Sequence, residues 1–175
     1  TVPDIDTQTW VLNALGKLYK KGNKVIVMGR SYGSPVAAMS AAHHPNLVDG
    51  LVLISSASDS ASEKYYWFSP LGKTKVMRAL LPTPLNSATD EKYTHPKELG
   101  KAQKYYSQIK CPTGILYGDR DYIADNINSQ KLDSQMVCSP HKIICLKGAD
   151  HFIAMKKPEL VREELLKMSH GIGVK

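Results

Sequence analysis

A chain of 175 residues with 42% hydrophobic and 22% charged side chains has the composition of a globular domain and enough apolar material for one core. No run approaches the roughly 18 uncharged apolar residues that cross a bilayer, so a membrane span is excluded at this level. The formal charge of +7 is spread from Lys17 to Lys175 without a basic stripe interleaved with aromatics, which argues against a nucleic-acid footprint.

Residues 6–19 form the first expected helix, with Asp6 as its cap and Trp10, Val11, Leu15 and Leu18 along one face. Gly22 and Asn23 end it. Lys24 to Met28 (KVIVM) has the β-branched pattern of a strand buried on both faces. Gly29 to Gly33 forms a tight turn, and residues 34–43 (SPVAAMSAAH) form a helix of small side chains that Pro45 stops. Leu51 to Ile54 is a second buried strand, Ile115 to Tyr117 a third, and Lys142 to Leu146 (KIICL) a fourth, with Cys145 packing in it as a small hydrophobe. Residues 126–136 and 158–168 are expected helices. Three cysteines without a C-x-x-C pair provide neither a disulfide framework nor a thiolate metal site, a usage that points to a reducing compartment such as the cytoplasm.

Strands alternating with helices imply an α/β fold with a parallel sheet flanked by helices. Residues 58–109 interrupt the alternation and form a mostly helical insertion over the sheet. The organisation is thus one domain: residues 1–57 as core with the first turn, 58–109 as insertion, and 110–175 as core with the last two loops.

The turn Gly29-Arg30-Ser31-Tyr32-Gly33 is a G-x-S-x-G segment between a buried strand and a helix. That context places Ser31 on a sharp, strained turn, where side chains on the flanking Gly29 and Gly33 would meet backbone. The helix start favours negative charge beside the hydroxyl, and the Tyr32 amide is placed to donate to an oxyanion. A serine nucleophile needs a base, and a histidine base needs a carboxylate to orient it. Both should lie beyond the C-terminal ends of later strands. The third strand exits into Gly118-Asp119-Arg120-Asp121, where Asp119 and Asp121 compete for the acid role. The fourth exits into Ala149-Asp150-His151, and of six histidines His151 alone directly follows a strand on this side. Asp150 beside it is a rival acid, and Asp125 is expected to cap the following helix. The segment DRDYIAD lacks the glycine and glutamate of a calcium loop.

These segments resemble the α/β-hydrolase superfamily, in particular esterase and lipase-like members with a small helical cap. VIVMGRSYGSPVA is similar to the nucleophile segment, PTGILYGDRDYIAD to the acid segment, and LKGADHFIAMKKPELV to the histidine segment. The resemblance runs in order through almost the whole chain and favours Asp121 over Asp119 as the acid. It implies a triad of Ser31, Asp121 and His151 acting on a small ester or acyl substrate without metal or organic cofactor. Arg30 stands where many relatives carry histidine, and Asp150 where glycine is common. Tyr66, Trp67 and Leu80 in the insertion suggest a hydrophobic acyl pocket. The family's sheet begins with about four more strands, whose loops supply a second oxyanion donor. This chain is similar to the later part of the fold, and an N-terminal segment or a partner chain is expected to complete the sheet. Thioesterase or peptidase chemistry on the same triad is compatible with these residues, as is a non-catalytic binding or scaffold role.

Overall fold

Gly50–Ile54 is buried at every position, which marks it as the centre of the sheet. The computed structural model describes residues 4–62, 74–80 and 94–171. Within them four parallel strands stand in chain order: β1 (Ile26–Arg30), β2 (Gly50–Ile54), β3 (Thr113–Gly118) and β4 (His141–Leu146). The helices are α1 (Ile5–Lys20), α2 (Gly33–His43), α3 (Lys75–Leu80), α4 over 94–103, α5 (Asn126–Gln135), α6 (Ile153–Lys156) and α7 (Pro158–Gly171).

Each crossover steps one strand further in the same direction, so crossovers of one hand cover one face. On that face Leu51, Leu53 and Ile115 pack with α2, with Ala102 of α4, with Tyr106, and with Leu132 and Met136 at α5. Their strand neighbours Val52, Ile54 and Leu116 point the other way and meet Ile153 of α6 and Val161 of α7. The result is three layers, with helices on both sides of a parallel sheet. Residues 34–42 of α2 are all buried. Small side chains are required there because α2 is covered by the sheet below and by α1 above.

The structure corrects several expectations. The cap of α1 is Asp4, whose carboxylate accepts from the Thr7 amide at 2.8 Å; Asp6 lies in the first turn. The buried face of α1 is Ile5, Thr9 and Asn13, with the Ser40 hydroxyl of α2 donating to the Asn13 side-chain oxygen at 2.5 Å. The apolar residues Trp10, Val11, Leu15 and Leu18 are exposed, and so is Tyr19. Periodicity identified the apolar stripe, but α2 offers α1 a polar contact. β1 begins two residues later than expected and, among the described residues, is an edge strand, so Met28 is half exposed rather than buried. β4 is the other edge, which leaves Cys145 exposed rather than packed. Among the described residues no helix is long and apolar enough to cross a membrane.

The insertion leaves the sheet through a buried polar anchor. The Ser58 and Asp59 amides both donate to Asn128 Oδ1, at 3.0 and 2.9 Å, and the Ser58 hydroxyl donates to the Asn128 carbonyl. The buried Asp59 carboxylate accepts from Lys131 Nζ at 2.6 Å, from Gln103 Nε2 at 2.8 Å and from the Ser62 hydroxyl. Burial pushes its pKa upward, but the bonds from Lys131, Ser62 and Gln103 outweigh burial and hold it below the usual carboxylate range. Tyr66 and Trp67, together with the side chain of Leu80, lie outside the described residues, as does much of the insertion.

Candidate active site

The turn after β1 departs from ordinary backbone. Ser31 has φ of 51°, in the left-handed region that costs a non-glycine residue on the order of 1–3 kcal/mol. The neighbouring sheet holds it there: the Ser31 amide donates to the Ile54 carbonyl at 2.9 Å, and the Ser31 carbonyl accepts from the Ala57 and Ser34 amides at 3.2 and 3.0 Å. A Cβ on Gly29 would stand 2.5 Å from the Gly33 carbonyl oxygen and 2.6 Å from the Ser34 Cα, so the tight turn excludes any side chain at 29. Gly33 differs from the expectation. Among the described residues nothing lies within 4 Å of a Cβ built there, because position 33 faces outward from the first turn of α2. The turn needs one of its two glycines for steric reasons.

The loops after β3 and β4 approach one another just as closely. A Cβ on Gly118 would fall 2.1 Å from the Ala149 carbonyl oxygen, and the Arg120 amide donates to that same carbonyl at 3.0 Å. Glycine at the end of β3 therefore lets the Ala149-Asp150-His151 backbone pass against the Asp119-Arg120-Asp121 loop. Asp119 serves the turn itself and accepts from the Gly148 amide at 2.6 Å.

Across this junction the imidazole of His151 spans two partners. Its Nδ1 lies 2.8 Å from Asp121 Oδ2, and its Nε2 lies 3.1 Å from Ser31 Oγ. The other oxygen of Asp121, Oδ1, accepts from the Ile123 and Ala124 amides at 3.0 and 2.8 Å. Both Asp121 and His151 are 6% exposed, whereas Ser31 is half-buried and open to a ligand. Burying a carboxylate is costly unless its oxygens meet donors, and three donors meet this one. An ionised carboxylate can only accept, so the ring proton sits on Nδ1 and donates to Asp121. That leaves Nε2 as the acceptor facing the Ser31 hydroxyl.

The rival carboxylates are engaged elsewhere. Asp150 faces Lys156 Nζ and accepts from the Phe152 amide at 3.0 Å. The Lys156 ammonium, followed by the Phe152 amide, holds its pKa below the usual carboxylate range. Asp125 caps α5 through the Ile127 amide.

Tyr32 is the N-cap of α2, and its ring stacks on His95 of α4 with centroids 4.3 Å apart and planes 11° apart. The place of His95 beside the Ser31 turn has no local sequence signal, because it depends on how the insertion folds back. Near Ser31 the hydroxyls of Ser55 and Ser56 are also buried without a hydrogen-bond partner among the described residues, and Ser55 has φ of 46°. Among the described residues no cluster of three metal-ligating side chains occurs.

A family model described as "alpha/beta hydrolase fold" matches residues 3–99, more than half of the chain. No curated protein matches the sequence significantly. Among solved structures, a monoacylglycerol lipase of Paleococcus ferrophilus superposes with a TM-score of 0.69 at 17% identity; the match covers 99% of this chain and 77% of the lipase. A bacterial membrane phospholipase A superposes with a TM-score of 0.66 at 20% identity, covering 98% of this chain and 64% of that one. A carboxylesterase of the ammonia-oxidizing thaumarchaeon Nitrososphaera gargenis gives 0.69 at 17% identity, with 98% and 73% covered. At these identities the likeness is one of fold. The chain spans about two thirds to three quarters of the length of these structures.

Proposed function

The chain belongs to the α/β-hydrolase fold family, and on that premise we propose that it carries the chemistry of a serine hydrolase acting on carboxylic esters or related acyl bonds. One observation supports the reading above all: an unbroken line of hydrogen-bond distances runs from Asp121 through His151 to Ser31 at the C-terminal rim of a parallel sheet.

In this scheme His151 Nε2 takes the hydroxyl proton as Ser31 Oγ attacks the carbonyl carbon. Asp121 holds the ring by its Nδ1–H and stabilises the imidazolium that forms. The carbonyl electrons move to oxygen, and the Tyr32 amide at the N-terminus of α2 donates to that oxyanion. Collapse expels the alcohol, which receives its proton from His151 and leaves an acyl-Ser31. Water activated by the same base then releases the acid. Tyr66, Trp67 and Leu80 form the proposed acyl pocket. No metal or organic cofactor enters any step.

The apolar face of α1 and the open edge of β1 support a second element of the proposal. Val11, Leu15, Tyr19 and Met28 are exposed and line adjoining grooves between α1 and β1, and exposed apolar surface of this kind marks a docking face. We take it as the seat of further sheet, contributed by an N-terminal segment of this polypeptide or by a separate chain, with the second oxyanion donor on that added part.

Turnover of short-chain p-nitrophenyl esters by the intact protein tests the scheme. Ser31→Ala should lower kcat/KM by more than about 10³ with the melting temperature unchanged. A folded wild-type protein inert to ester, thioester and peptide substrates alike would favour a binding or scaffold role instead.

A further inference from the structure

The residue before Ser31 is a half-buried cation that reaches across the site. Arg30 Nη2 donates to the main-chain carbonyl of His151 at 3.2 Å. The same guanidinium lies 5.5 Å from the centre of the Phe152 ring. That ring stands edge-to-face with the His151 imidazole, at 5.8 Å and 87°. Lys156, which pairs with Asp150, approaches the Phe152 ring at 5.8 Å. Arg30 Nε is buried with no hydrogen-bond partner among the described residues. Leaving a guanidinium donor unmet is unfavourable, so the position is held by its other contacts.

We propose that Arg30 is a positioning residue: by gripping the His151 carbonyl and the Phe152 ring, it sets the distance between the imidazole and Ser31. The geometry gives the grip its meaning. Asp121 fixes the side-chain end of His151, but nothing in that bond fixes the main chain from which the ring projects. Arg30 supplies that second point of attachment, and it does so from the backbone that carries the nucleophile. Ser31 and the grip on its base therefore move as one unit with the end of β1. Arginine suits the task because its planar, permanently charged group can donate along its edge and stack on an aromatic face at once. A neutral residue of similar length could pack there but could not hold the carbonyl. Reacting groups lose about 10²-fold in rate for a displacement near 1 Å, which sets the scale of the expected effect.

This inference rests on the assignment of Ser31 and His151 as nucleophile and base, and the test separates the two. In the intact protein, kcat and KM for an uncharged ester are measured for wild type, Arg30→Met and Arg30→Lys, with Ser31→Ala as reference and melting temperatures recorded throughout. Arg30→Gln, too short to reach the carbonyl but polar, replaces Arg30→Met should the latter not fold. The expected result is a fall in kcat of about 10- to 100-fold in Arg30→Met with KM within about threefold. Arg30→Lys, which keeps a long donor, should recover most of that loss. The proposal is overturned if Arg30→Met keeps kcat within twofold while Ser31→Ala is inactive. It is equally overturned if the loss falls on KM, which would make Arg30 a substrate contact, or if Arg30→Lys is no better than Arg30→Met. Full activity in Ser31→Ala would instead remove the underlying assignment.

Discussion

The central strand β2 follows every local preference of a parallel sheet, and at the rim where the strands end the chain breaks several of them. Leu51, Val52, Leu53 and Ile54 are fully buried aliphatics that alternate between the two helical layers. At the rim, among the described residues, stand the positive-φ serines Ser31 and Ser55, a buried Asp121–His151 pair, and buried groups on Ser55, Ser56 and Arg30 without a hydrogen-bond partner. Strain and buried polarity gather where the Ser31 constellation lies, and the aliphatic layers beneath supply the stability that tolerates them. The comparison teaches a division of labour: substitutions in the sheet centre should cost stability, and those at the rim should cost chemistry.

The largest expected effect breaks the two apart at one residue. Ser31→Gly removes the hydroxyl and relieves the left-handed backbone. Ester hydrolysis should fall by about 10⁴ or more, while stability to urea stays equal or rises by up to about 1 kcal/mol. A large loss of stability would mean that the serine side chain holds the turn. Leu53→Ala, in the centre of the sheet, should do the opposite. It should lower unfolding free energy by about 2–5 kcal/mol with kcat per folded molecule within about threefold of wild type, checked by denaturant titration alongside active-site titration.

A smaller effect sharpens the boundary between sheet and insertion. Asp59→Asn removes the charge that Lys131 and Gln103 meet, at an expected cost of about 1–3 kcal/mol. The wild-type pH dependence follows from the sign of its shift. Because the folded value is lowered, the stabilisation is complete above the unfolded value near 3.8 and is lost as pH falls through the folded value. Melting curves between pH 6 and pH 3 should show an acid limb that Asp59→Asn flattens. The smallest effect concerns the second glycine of the turn. Gly33→Ala should stay within about 1 kcal/mol of wild type, because its Cβ meets no described atom. A loss of several kcal/mol would place position 33 against a contact from the insertion.

Much of this division was legible in the sequence, for reasons that differ by residue. β2 could be read because an aliphatic run bounded by polar residues has one stable place in a layered α/β domain. A meeting of Ser31, Asp121 and His151 could be anticipated because a parallel sheet carries every strand exit to the same rim, and the structure places the His151 imidazole within hydrogen-bond reach of both Asp121 and Ser31. The orientation of α1 was not. Its buried residues are Ile5, Thr9 and Asn13, the last bonded to Ser40 of α2, while the apolar residues Val11, Leu15 and Leu18 face outward, and which side of a helix meets its neighbour is not a property of periodicity alone. Arg30, Gly118 and His95 were equally opaque as participants. Each acts through a partner far away in sequence, His151, Ala149 and Tyr32 respectively, and no local pattern encodes such a meeting.

The central claim is that the Ser31 hydroxyl is the nucleophile, activated by His151. Peptide mapping by mass spectrometry after treating the intact protein with a fluorophosphonate tests it most directly. The account predicts a single stoichiometric adduct on Ser31, formed at least about 10³ times more slowly in His151→Ala. An adduct at a different residue, or labelling of Ser31 at the same rate without the imidazole, would contradict it.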